Sequence, residues 1–302
     1  MSESHGSIRA ILYALGANLG IAIAKTAAAV HTNSGAMMAE AIHSAADSAN
    51  QLLLLIGLKR ARKPVSAEHP LGYGKAIYFW SFVVALLLFS LGGMFSIYEG
   101  IHKLQHPEMS TSPWVAVAVL AVAILLEFAS LRTAMQEVAR VRGQRGFLRW
   151  FRTSRQSELI VVVGEDIAAL AGLVLALAAV LTTMVTGNPL YDALGTIAIG
   201  AVLILVAIAV GVEVKSLLIG ESADPETVSA IRAFLKDREE IAEVYRLITL
   251  QLGSEVMVAI KARLRERESA ARLIRDINRV EQALQEALPS IRWVFFEPDV
   301  KD

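Results

Sequence analysis

The feature that most limits what this chain can fold into is a series of six apolar runs, at about 8–29, 34–57, 77–101, 113–135, 157–183 and 190–217. A helix crosses a hydrocarbon core of about 30 Å with about 20 residues, so each run is long enough to span a bilayer. In lipid every backbone N–H and C=O must find its partner within the segment, which makes helices the form such runs take. The expectation is therefore an α-helical membrane protein with six transmembrane helices. Composition agrees: 55% of the 302 residues are apolar, 19% are charged and mean hydropathy is +0.50, where a soluble domain carries about 25% charge. The first run follows only Met1–Ser7, has no Ala-x-Ala cleavage pattern and exceeds the apolar core of a secretory signal, so it reads as a retained span.

The loops orient the bundle. The connection at 58–76 carries Lys59, Arg60, Arg62, Lys63 and Lys75, and that at 132–155 carries Arg132, Arg140, Arg142, Arg145, Arg149, Arg152 and Arg155, whereas the other three connections contain only Lys103. By the positive-inside rule this bias puts the basic loops and both termini on the cytoplasmic side. The run from Arg140 to Arg155 reads as an orientation signal or an anionic-lipid contact. Basic and acidic residues number 29 each, so there is no cationic excess to neutralise phosphates, and no nucleic-acid partner is expected. With no cysteine in the chain, any metal must be held by oxygen or imidazole.

Half of the chain's charged residues fall in its last 84 positions. That shift divides a transmembrane domain at 1–218 from a C-terminal domain at 219–302. Asp224 can cap a helix beginning at Pro225 and running to about 237, with Val228, Ile231, Phe234 and Leu235 at helical spacing. Two β-branched segments, 242–251 and 255–264, meet across Leu252-Gly253-Ser254 as a hairpin. Leu273, Ile274, Ile277, Val280, Leu284 and Leu288 mark a second amphipathic helix ended by Pro289, and Ile291–Phe296 reads as a last strand. The order αββαβ suggests a cytoplasmic ferredoxin-like α+β domain. All six histidines, at 5, 31, 43, 69, 102 and 106, lie outside it, and Glu239, Glu240 and Glu243 read as a solvated face. Packing against a second copy, as a homodimer, is the expected role of this tail.

An ionisable group in mid-span costs about 2.5–3.5 kcal/mol on the insertion scale, so each is a functional candidate facing the bundle interior. On the second span Glu40, His43, Asp47 and Asn50 share one helical face. An imidazole and a carboxylate one turn apart suit two positions of a divalent site, or a buried hydrogen bond that joins helices. The fifth span favours the metal, because Gly164-Glu165-Asp166 puts two adjacent carboxylates in an apolar stretch, an expense a cation explains and packing does not. Neighbours on a helix diverge by about 100°. Asp166 is thus the first candidate ligand and Glu165 the second, with His43 and Asp47 opposite. Lys25 and Glu99, near the outer ends, are expected to snorkel; Glu127 lies deeper, as a proton-path or helix-pairing group. His31, His102 and His106 fall on outward connections and are expected to be solvated.

Three stretches give a family resemblance: Glu40-Ala-Ile-His-Ser-Ala-Ala-Asp-Ser, Glu68-His-Pro-Leu-Gly-Tyr-Gly-Lys-Ala and Leu91-Gly-Gly-Met-Phe-Ser-Ile-Tyr-Glu-Gly-Ile-His. They resemble the cation diffusion facilitators, the zinc-transporter-type family of divalent metal/proton antiporters, whose six spans and αββαβ tail match the reading above. The resemblance implies a homodimer that exports a divalent cation from the cytoplasm in exchange for protons, with zinc as the leading substrate. In most of that family the fifth span repeats His-x-x-x-Asp; here Asp166 stands at the Asp position, Val162 stands where the second His would be, and Glu165 is the substitute the resemblance implies. An oxygen-richer site admits manganese, cobalt or ferrous iron as well. The family's tail often binds zinc through histidines, and a tail without histidine is expected to lack that site. His69 and Asp192 also match occupied positions, although His69 beside Pro70-Leu71-Gly72 suits a turn better than a metal.

Proton coupling follows from these ligand types, since metal needs a neutral imidazole and ionised carboxylates. His43, with an ordinary pKa near 6.5, is the ligand that titrates close to physiological pH. A membrane metallohydrolase would need a motif such as His-Glu-x-x-His, which is not present, so the chain is not expected to be an enzyme. The alternative is a membrane-embedded sensor that binds metal without moving it; a passive channel would conduct regardless of the proton gradient. No amphipathic transit segment is evident, and a prokaryotic plasma membrane is the expected location.

Overall fold

Each apolar run forms a helix. A computed structural model describes residues 3–32, 35–107, 113–265 and 269–301. Within them, α1 (Glu3–Thr32) and α2 (Gly35–Ala61) are followed by a continuous helix, Ala76–Gln105, made of α3 (Ala76–Leu87), a π-helical stretch (Leu88–Met94) and α4 (Phe95–Gln105). Next come α5 (Pro113–Val141), the short α6 (Phe147–Thr153), α7 (Ser157–Thr186) and α8 (Leu190–Ile219). Among the described residues, Ala76–Gln105, α5, α7 and α8 are long and apolar enough to cross a membrane. At a rise of about 1.5 Å per residue each of these exceeds the hydrocarbon thickness, so its ends project into polar surroundings. Lys59 and Arg60 in the last turn of α2, and Arg140 in that of α5, supply the polar ends expected there.

Small residues let the helices approach. A Cβ added at Gly93 would lie 2.4 Å from Ile204 Cγ1, and one at Gly200 would lie 2.8 Å from the Gly93 carbonyl oxygen. The long helix through Gly93 and α8 therefore touch backbone to backbone, the packing that lipid, which offers no hydrophobic drive between helices, rewards. The main apolar core sits at the basic-loop end of the bundle. Leu54, Tyr78, Val138, Trp150, Leu159, Ile160, Val214 and Leu217 meet there from six helices.

Two features depart from a plain reading of connections and spans. The basic connection is partly helical, because α5 continues to Val141 and α6 buries Trp150 in the core. The third span is interrupted by its π-helical stretch, which contains Gly92 and Gly93, a local widening of the helix that composition does not announce.

The tail has the expected element order: α9 (Pro225–Lys236), β1 (Ile241–Leu252), β2 (Glu255–Leu264), α10 (Ala270–Ala287) and β3 (Ile291–Pro298). Asp224 caps α9 by accepting from the backbone N–H groups of Glu226 at 3.0 Å and Thr227 at 3.1 Å. Gly253, at φ 69°, makes the tight hairpin turn that a residue with a Cβ resists. The sheet order is β1-β2-β3, with β1 and β2 antiparallel and β2 and β3 parallel. The parallel pair requires a crossover, and α10 provides it. Ile231, Leu235, Val258, Ile260, Val280 and Leu284 form a second core between helices and sheet.

The hairpin tip rests on the bundle. Tyr78 Oη accepts the Gly253 N–H at 3.0 Å, and Gly74 is so close that a Cβ there would lie 2.0 Å from the Leu252 carbonyl oxygen. Arg155 donates from Nε to the Ser222 carbonyl at 2.9 Å and pairs with Glu221, while Arg145 lies 3.4 Å from Glu226. The tail therefore sits on the side of the basic loops.

Candidate functional site

The site begins at Gly164. A Cβ at this position would stand 2.6 Å from Val210 Cγ2, so α7 is pressed against α8 at this level. With that face committed, the next two residues rotate away from α8 at about 100° per position. Glu165 turns to α2, where its Oε2 accepts a hydrogen bond from Gln51 Nε2 at 2.7 Å, with Asn50 alongside. Asp166 turns to α5, where Ser130 Oγ donates to its Oδ2 at 3.1 Å and the Glu127 carboxyl group is hydrogen-bonded to it. The two adjacent carboxylates thus diverge, as the helical geometry requires.

All of these groups are withdrawn from solvent. Asp166 is 1% exposed, Glu127 2% and Gln51 0%, with Glu165 and Asn50 buried and Asp47 half-buried. Asp47 lies within electrostatic reach of both Glu165 and Glu127, and Glu127 of Glu165 and Asp166. Lys25, the cation acting on Glu127, is 4% exposed. This overturns the snorkelling expected of Lys25: α1 packs into the bundle, and a carboxylate inside it holds the ammonium better than a distant interface would. Glu99 is half-exposed, in keeping with its position near the end of the third span.

Of the sequence-predicted ligands, Asp47, Glu165 and Asp166 are gathered into this cluster. His43 lies one turn before Asp47 on α2, and its side chain, like that of Glu40, falls outside the described residues. Among the described residues no three His, Asp or Glu side chains converge tightly enough to hold a metal ion, because Glu165 and Asp166 engage separate helices. Val162, at the position of the missing imidazole, is fully buried in the apolar core. Gln51 and Ser130 were not singled out by sequence reasoning. The signal for both was spacing, since Gln51 follows Asp47 by four residues and Ser130 follows Glu127 by three.

Other polar groups have local work. The His69 backbone exchanges hydrogen bonds with Ser66 and accepts from Gly72, and its ring stacks on Tyr73 at 4.2 Å, which agrees with the turn reading. Asp192 pairs with Lys103 at 3.0 Å, and His102 and His106 are exposed as expected. In the tail Glu240 corrects the solvated-face reading: it is buried, 3.4 Å from Arg238 and 3.7 Å from Arg279. Two arginines make that burial tolerable.

Comparison with known proteins identifies the family of the bundle. Residues 11–219 match the family model of the cation efflux transmembrane domain. Metal tolerance protein C4 of Arabidopsis thaliana is 33% identical over 81% of this chain and 54% of its own length. The mitochondrial proton-coupled zinc antiporter SLC30A9 of Homo sapiens is 31% identical over 74% of this chain and 40% of its own length. Magnetosome protein MamB of Magnetospira sp. (strain QH-2) is 25% identical over 83% of this chain and 80% of its own. The chain thus spans about half or less of the length of the first two relatives. A match across more than two thirds of the chain, on a bundle of apolar helices enclosing carboxylates, means that it belongs to the cation efflux family, as an integral multi-pass membrane protein.

Proposed function

We propose that this protein is a homodimeric secondary transporter that exports a divalent cation from the cytoplasm in exchange for protons. Zinc is the leading substrate, with manganese, cobalt and ferrous iron as further candidates. The observation that carries the reading is the group of Glu127, Glu165 and Asp166, all buried, with Asp47 half-buried within electrostatic reach and, among the described residues, Lys25 as the cation acting on Glu127. Carboxylates held together away from water are costly, and a divalent cation in transit offsets that cost. His43 and Asp47 on α2, with Asp166 and Glu165 on α7, are its ligands. Proton exchange is supported by the chemistry of these ligands and by the name of the antiporter relative.

In this reading α1 and α2 complete six spans, residues 1–218 form the transmembrane domain, and residues 219–302 form a ferredoxin-like cytoplasmic domain. Both termini lie with the basic loops. A prokaryotic inner membrane is the location this reading assigns. The sheet supports dimerisation: Ile248, Ala259 and Phe295 are directly cross-paired, and Ile248 and Phe295 are both more than half exposed, a row that a second copy would cover. Metal uptake into proteoliposomes tests the function. Zinc should enter vesicles holding the native protein, and Asp47→Ala and Asp166→Ala should each abolish entry. Binding without flux for every metal tried would contradict transport and support a membrane-embedded sensor.

A further inference from the structure

Gln51 is a polar side chain whose position the reading above does not use. It lies on α2 one turn beyond Asp47, so the two share a face, and it is 0% exposed. Its Nε2 donates to Glu165 Oε2 at 2.7 Å. The contact is made by the amide nitrogen, which leaves the carbonyl oxygen turned away from Glu165 Oε2. That oxygen, Gln51 Oε1, is buried and accepts no hydrogen bond among the described residues; the same holds for Glu165 Oε1. A buried oxygen left bare is unfavourable. Here two such oxygens belong to one bonded pair, beside Asp47, and one cation can satisfy both at once.

We propose that the carbonyl oxygen of Gln51 is a ligand of the transported cation, which together with Asp47 and Glu165 forms an all-oxygen wall between α2 and α7. The inference rests on the transport reading and deepens it by naming a ligand and a selectivity. Val162 is locked in the apolar core, so that position of α7 offers the cation no nitrogen, and Gln51 supplies a neutral oxygen from the opposite helix. A neutral amide oxygen favours harder ions with more ligands over tetrahedral zinc. Gln51 therefore raises the affinity for manganese relative to zinc.

The test is calorimetric titration of the full-length, detergent-solubilised protein with Mn²⁺ alone and Zn²⁺ alone. Asp47→Ala, Gln51→Leu and Gln51→His are compared with the native chain, each checked for monodispersity. Loss of a group that holds or orients a metal ligand costs on the order of 10–100-fold in affinity. Gln51→Leu should lose that factor for manganese and much less for zinc. Gln51→His, which restores a donor as nitrogen, should tighten zinc and weaken manganese, and should shift the visible d–d bands of bound Co²⁺. A residue that merely orients Glu165 would lower both affinities equally in Gln51→Leu and leave the Co²⁺ bands unmoved, which would overturn the inference. The two possible failures read apart. A native chain that bound neither metal would overturn the transport reading and this inference together, whereas binding lost in Asp47→Ala with an unchanged manganese-to-zinc ratio in both Gln51 variants would overturn the inference alone.

Discussion

Gly164 decides where the carboxylates of α7 point, because its missing side chain is what lets Val210 press in at that level. Gly164→Ala should force the helices apart at a cost of about 1–3 kcal/mol and weaken metal binding, whereas Gly211→Ala, where a Cβ would meet nothing within 4 Å, should do neither. Thermal unfolding and metal titration of the two variants check this. The proposed role of His43 bears on pH instead, since an imidazole that takes up a proton can no longer hold a metal. Uptake should therefore fall as pH is lowered in the native protein, and His43→Gln should flatten the profile while leaving the fold intact. A mutant profile identical to the native one would remove His43 from proton exchange. Asp47, Glu165 and Asp166 were legible in the sequence because a carboxylate in a span is expensive enough to demand a reason. Gln51 and Ser130 were not, because amides and hydroxyls are cheap in spans and only their partners reveal their use.

Among the elements, the tail was read closely because caps, β-branched runs and helical spacing are local signals, and each expected strand and helix is present, with α10 starting three residues before Leu273 and β3 running on to Pro298. The π-helical stretch and α6 were not, since one is a backbone adjustment and the other owes its order to Trp150 reaching a core built from distant helices. At the end of the sheet, the Lys261 ammonium, 3.0 Å from Asp299, holds that carboxyl below its ordinary range. A depressed native pKa contributes stability above the unfolded value near 3.9 and loses it as pH falls through the lower native one. Lys261→Ala should return the Asp299 carboxyl toward about 3.9, as read by carboxyl-carbon NMR titration. The hairpin tip offers a sharper test of docking. Tyr78→Phe removes the acceptor for the Gly253 N–H, worth about 0.5–1.5 kcal/mol, and should speed hydrogen exchange at Gly253. Unchanged exchange there would mean that the tip is held by Gly74 and its neighbours instead.

For the molecule as a whole, the contacts that join tail to bundle link residues far apart in sequence, Tyr78 to Gly253 and Arg155 to Glu221, and no local pattern announces them. They make the tail a base for the helices that carry the site, since α3, α7 and α8 all end in or beside this junction. Movement of the bundle around the proposed site, the usual manner of secondary transporters, would then take place against a floor formed by the tail. The central claim is that metal and protons cross this bundle in opposite directions through one set of ligands. Its most direct test is a zinc gradient imposed on proteoliposomes that contain an interior pH dye, with Asp47→Ala alongside. The account predicts zinc entry with simultaneous interior alkalinisation, both lost in the variant; zinc entry with no change in interior pH would contradict it.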